Sequence, residues 1–136
     1  MEYKEFKKLV SASIDKLPHS ILEKIENVVF LVRTKPNKET RAKLKLKIDG
    51  YLLGLYQGIP STVWGKGHAI GKLPDRITIF QGEIERFAGS PEEIPGIVDE
   101  TIWHEVGHYL GLDDGQIRSL REKKKKHQSS DLEPAL

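Results

Sequence analysis

The sequence predicts an α+β fold, a small mixed sheet packed against one prominent helix with further helices flanking it. Three observations point there. Apolar residues recur at helical spacing near both ends of the chain, short β-branched runs lie between them, and several connections are too short for the helical crossovers of a parallel sheet.

The elements follow in order. Phe6, Leu9, Val10, Ile14 and Leu17 repeat with helical period, and Pro18 closes the pattern. Ser20 followed by Glu23 has capping-box spacing, which predicts a short second helix through Ile25. Val28 to Val32 is short, continuous and β-branched, the pattern of a buried strand. Leu44, Leu46 and Ile48 alternate with lysines, which predicts a lysine-guarded edge strand. Tyr51 to Tyr56 is a second apolar, aromatic run, and the Gly- and Pro-rich stretch from Gly58 to Pro74 predicts a long loop. Ile77 to Phe80 restores a strand. Ser90, Pro91 and Glu93 then mark a helix start, and Ile97, Thr101, His104 and His108 fall along one face of the helix that follows. Gly111 is its natural stop, and Gln116 to Lys126 predicts a last, charged helix before a frayed tail at 128–136.

Length and composition narrow the function. The 136 residues fit a single domain, 1–136, with one core. Lys and Arg number 22 against 20 Asp and Glu, a balance too even to predict a nucleic-acid binder by charge. There are no cysteines, so any metal must be held by His and carboxylate. The longest wholly apolar run, Val28 to Val32, is too short to span a bilayer, and the charged start MEYKEFKK is not a secretory signal. The expected compartment is the cytoplasm.

One segment carries chemistry, His104-Glu105-Val106-Gly107-His108. Histidines at i and i+4 of a helix share a face, with Cβ atoms about 5–6 Å apart, so both imidazoles can reach one zinc ion. Glu105 points to the side of that face, where a carboxylate can act as general base toward water rather than as a ligand. A catalytic zinc needs a third protein ligand. Asp114, six residues after His108 and past the Gly111 turn, is the first choice, with Asp113 next and Glu122 after it.

With these residues the chain resembles the small bacterial zincin-like proteins regarded as zinc metallopeptidases. The resemblance covers Tyr51 to Asp114 and rests on LLGLYQGIP, LPDRITIFQGEIERFA and HEVGHYLGLDD, in that order. It implies a minimal zincin-like fold and a hydrolytic zinc site at His104, Glu105 and His108, within the pattern HExxHxxGxxD. Two features set the chain apart from the metzincins. Asp114 stands where they carry a third His, and Met1 is the only methionine, so no methionine-containing turn lies beneath the metal.

Beyond the motif, His68 in the glycine-rich loop is a candidate to stabilise the oxyanion. Ile77 and Ile79 are candidates for substrate binding, if their strand forms an edge to which an extended peptide can add. Trp103 and Tyr109 are expected to pack rather than to react. The basic run from Arg121 to His127 is expected to be a solvated helix end, favourably placed against the helix dipole.

The leading expectation is a zinc metallopeptidase acting on peptides or unfolded proteins, with one Zn2+, no membrane partner and nucleic acid disfavoured. One alternative is a metal-dependent endoribonuclease of the rRNA-maturation type. Such enzymes also hold zinc on a helix-borne HxxxH but lack a Glu directly after the first His. The other alternative is a non-catalytic zinc-binding or interaction protein on a zincin scaffold.

Overall fold

Helix α1 (Tyr3–Asp15) buries Phe6 and Val10 on one stripe, with Leu9 and Ile14 packed at its margins. It opens a computed structural model that describes residues 1–46, 50–58 and 75–122. A short α2 (His19–Lys24) follows. Its N-cap is Pro18 with no side-chain cap, so Ser20 lies inside the first turn and does not cap it.

Three strands form the sheet among the described residues: β1 (Val28–Arg33), β2 (Gly54–Gln57) and β3 (Asp75–Phe80), in the order β1-β3-β2. β3 runs parallel to β1 and antiparallel to β2, so the sheet is mixed as expected. The position of β1 at an edge explains why only Val32 of its residues is buried while Val29 is exposed. β3 is the central strand, with Ile77 and Ile79 fully buried. Both of its edges are paired, so no peptide can add to it, and the expectation that Ile77 and Ile79 bind substrate is overturned. Among the described residues, the strand that ends the sheet on the other side is β2.

The predicted strand around Leu44 is also corrected. Residues Lys38–Lys43 form helix α3, capped by Asn37, whose side chain accepts from the Thr40 amide at 2.8 Å. The helix ends in a Schellman arrangement. Leu46 N donates to Arg41 O at 3.0 Å, Lys45 N donates to Ala42 O at 3.1 Å, and Lys45 takes φ of 54°. Local capping at both ends outweighs the leucine–lysine alternation. Residues 47–49 lie outside the described residues.

After β3, α4 (Gln81–Phe87) and a single 3-10 turn (Pro91–Glu93) lead into the long helix α5 (Ile94–Tyr109). The turn carries the expected capping box between Ser90 and Glu93. Val98, Ile102 and Val106 recur every four residues and face the core, while Trp103 is buried beside them. α5 lies between α1 on one side and β2 and β3 on the other. Across the α1 contact, Ser13 Oγ donates to Asp99, and Lys16 Nζ lies 3.7 Å from the same carboxylate. α5 ends at Gly111, whose φ of 76° suits glycine. A final helix α6 covers residues 114–122. No helix among the described residues is long and apolar enough to cross a membrane.

Candidate metal centre

The cleft-facing side of α5 carries His104 and His108 one turn apart, their ring centroids 4.5 Å apart. What brings a third donor to them is the turn that follows. The Schellman bonds Gly111 N to His108 O (3.0 Å) and Leu112 N to Gly107 O (2.9 Å) stop the helix and redirect the chain. Asp113 then caps α6 reciprocally, its carboxylate accepting from Gln116 N at 2.8 Å while its own amide donates to Gln116 Oε1 at 2.9 Å. That use of Asp113 turns the next residue, Asp114, toward the histidines.

Asp114 Oδ1 lies 3.4 Å from His104 Nε2 and 3.9 Å from His108 Nε2. One ligand atom from each of the three residues falls within 4.8 Å of the others. Donors about 2.0–2.1 Å from a tetrahedral zinc stand roughly 3.4 Å apart, so two imidazoles and a carboxylate at these separations fit three corners of such a site and leave the fourth open. The side chains are 46%, 43% and 68% exposed for His104, His108 and Asp114, so the open side faces solvent. Of the three acidic residues considered for the third donor, the structure brings Asp114 to the pair. Glu122 lines the same cleft and is not part of the cluster.

Close packing holds α6 there. A Cβ on Gly107 would lie 2.2 Å from Ile117 Cδ1, so the glycine inside the motif is the seat of the buried Ile117.

Glu105 is buried at the floor of the cleft, its carboxylate Oε1 3.6 Å from His108 Nδ1. The same Oε1 accepts a hydrogen bond from the Tyr56 amide of β2 at 3.1 Å. Helix and strand come this close because residue 54 is glycine. A Cβ there would lie 2.7 Å from Thr101 Cγ2 and 3.1 Å from Glu105 Cγ. Tyr56 itself packs edge-on against Tyr109, centroids 5.6 Å apart, and its hydroxyl donates to Asp75 at 3.4 Å. Burial first, and then the Asp75 carboxylate, push the Tyr56 phenol above its usual pKa. The expected packing roles of Trp103 and Tyr109 agree with their places, one buried in the core and one against Tyr56.

A cleft of about 880 Å³ runs over these groups, bounded by α5, α6 and the segment that enters β2. His68 lies outside the described residues, as do residues 123–127 of the basic run. Arg121, its first member, pairs with Glu100 at 3.4 Å. Neither Gly54 nor the Tyr56 amide has a signal in the sequence, since one acts by lacking a side chain and the other is main chain. Sequence reading also misses Arg118. It lines the cleft one helical turn beyond Asp114, a spacing that could flag it.

Comparison with known proteins bears on the family and the fold. A family of zincin-like metallopeptidases matches residues 25–124. Among solved structures, a conserved hypothetical protein from Thermo thermophilus is similar with a TM-score of 0.55 and 24% sequence identity, over 81% of this chain and 94% of that one. At that identity the likeness bears on the fold alone. No curated protein matches the chain.

Proposed function

The chain belongs to the zincin-like metallopeptidase family, and from that premise we propose that it is a zinc-dependent peptidase with its reaction centre at His104, Glu105, His108 and Asp114. The observation that carries this is the convergence of the His104, His108 and Asp114 donor atoms within 4.8 Å, beside a buried carboxylate that is not one of them. His104 and His108 would hold the ion through Nε2 and Asp114 through Oδ1. When bound, zinc lowers the pKa of water toward about 7 and polarises a carbonyl oxygen.

The chain's own residues do the rest. Glu105, held by the Tyr56 amide, takes the proton from water as it attacks the peptide carbonyl, then delivers that proton to the leaving amine. The hydrogen bond from Tyr56 engages Oε1 and holds the carboxylate, and Oε2 is the oxygen left for the proton transfer. The substrate lies extended along the outer edge of β2. Leu53 O accepts from Phe80 N of β3 at 2.9 Å, so by strand alternation the main-chain groups of Gly54 point away from β3. A peptide laid antiparallel there would cross the metal centre.

The ribonuclease alternative gives Glu105 no task, and Arg121 is already paired. The test is metal content and cleavage together. Protein purified without added metal or a histidine tag should hold about one zinc per chain, and His108→Ala almost none. Glu105→Gln should keep the zinc and lose about 10²–10⁴-fold in kcat on a peptide library. Full zinc with no peptide cleavage by the wild type would reject the peptidase proposal.

A further inference from the structure

Three large apolar side chains stay exposed on one wall of the cleft. Leu44 is 45%, Tyr51 44% and Phe87 50% exposed, and all three line the cavity that holds the metal ligands. They come from three separate segments, so no single amphipathic element accounts for them. Tyr51 and Phe87 meet edge to face at 5.3 Å, and Arg86 stacks on the Tyr51 ring at 4.4 Å, which fixes the aromatic surface in place. Fixed, clustered, exposed apolar groups in the same cleft as the metal donors mark a binding site rather than scattered surface residues.

The distance from the metal centre follows from the packing. Gly54 sits against Thr101 and Glu105, and Tyr56 meets Glu105 and Tyr109. β2 and α5 therefore advance in the same direction. Tyr51, three residues before Gly54 and just ahead of β2, lies at most about 10 Å back along the chain, on the side of Ile97 of α5, which also lines the cleft. A peptide antiparallel to β2 would place the residues on the C-terminal side of its scissile bond at that end. About 10 Å corresponds to the second or third residue after the bond.

We infer that Leu44, Tyr51 and Phe87 form a subsite for a bulky apolar side chain, aromatic or leucine-like, at the second or third substrate position after the scissile bond. This rests on the peptidase proposal and adds a substrate class to it: peptides carrying an apolar residue just downstream of the cut.

The experiment uses the zinc-loaded full chain and peptides of about ten residues that share one mapped cleavage site. The second and third residues after the bond are varied among Phe, Leu, Ser and Asp. Phe and Leu should exceed Ser and Asp by about tenfold or more in kcat/KM, and Phe87→Ser or Leu44→Ser should shrink that preference to under about threefold. Zinc content and circular dichroism establish that each variant is folded, and two variants guard against one failing. Equal cleavage of all four peptides overturns the subsite and leaves the peptidase proposal standing. If nothing is cleaved, binding of the same labelled peptides by fluorescence anisotropy decides. Phe-dependent binding that Phe87→Ser weakens upholds the subsite without the peptidase activity, and indifference to Phe overturns it. Self-association that Phe87→Ser abolishes, with no effect on peptides, assigns the patch to a second copy of the chain and also overturns it.

Discussion

A methyl group on Gly107 would sit 2.2 Å from Ile117 Cδ1 and 2.4 Å from its Cγ1, inside a side chain that is only 5% exposed. Helix propensity alone would make Gly107→Ala stabilising by about 1 kcal/mol. Overpacking should win, and we expect a net loss of about 1–3 kcal/mol in urea unfolding. Because Asp114 precedes Ile117 on the same helix, zinc affinity should fall as well, by roughly tenfold. Stabilisation with unchanged zinc binding would mean that α6 is not seated on the motif as described. Gly54 makes a parallel case on the strand side. Gly54→Ala would press its Cβ against Thr101 Cγ2 at 2.7 Å and prise Glu105 from the Tyr56 amide. The expected result is a lower kcat with zinc content unchanged. Pairing it with Thr101→Ser removes the nearest methyl while keeping the hydroxyl that bonds Ile97 O, and should restore part of the activity. No recovery in the double variant would argue against that contact as the cause.

At the level of elements, a buried carboxylate ties together the pieces that deliver β2 to the site. Glu83 of α4, with a side chain 5% exposed, meets Arg86 at 2.7 Å and Arg41 of α3 at 3.3 Å, and accepts from the Leu52 amide at 3.4 Å. Burial pushes its pKa up, but the hydrogen bonds from Arg86 and Leu52 and the two guanidinium charges outweigh that and hold it below the usual 4.5. A folded-state pKa below the unfolded value means that the stabilisation is whole above the unfolded value and disappears as pH falls through the folded one. Glu83→Gln should therefore be less stable than wild type by about 3 kcal/mol at pH 7, with the gap closing in urea titrations below about pH 4. A gap that stays constant down to pH 3 would sink the assignment. Only the Glu83–Arg86 pair has local spacing; Arg41 and Leu52 lie 42 and 31 residues from Glu83 and reach it through tertiary folding, so the network as a whole is not legible in the sequence. What was legible shares a different property. The helices of Phe6 and of His104, the Ser90 box and the Gly111 stop are written in spacing of a few residues. Leu44 to Ile48 also carry a local pattern, and over the described residues, through Leu46, it misleads. Alternation says nothing about a helix begun at the Asn37 cap seven residues upstream, whose closing turn takes up Leu44 and Lys45. Edge or centre is likewise a matter of strand order, so Ile77 and Ile79 could not be placed from their own residues.

Across the whole molecule the candidate centre joins parts that no single segment contains. α5 contributes two histidines and the Glu105 carboxylate, α6 the Asp114 carboxylate, and β2 the amide that holds Glu105. An ion bound by this set ties α6 to α5 in the folded chain, and unfolding would scatter Asp114 from the histidines. Binding should therefore stabilise the whole fold by mass action, by about 2.7 kcal/mol when free zinc is 100 times its dissociation constant. For a chain of this size that is a rise of roughly 10 °C in Tm. Chelation should reverse it, and His108→Ala should show neither the rise nor the reversal. Glu105→Gln should keep the full rise, since Glu105 is placed beside the donor cluster and not within it. The pair of variants thus separates holding the metal from using it by calorimetry alone, without any substrate in hand. A wild-type Tm indifferent to zinc and chelator would show that the three donors do not act together as a ligand set. A Glu105→Gln variant that loses the rise would instead move that carboxylate from base to ligand.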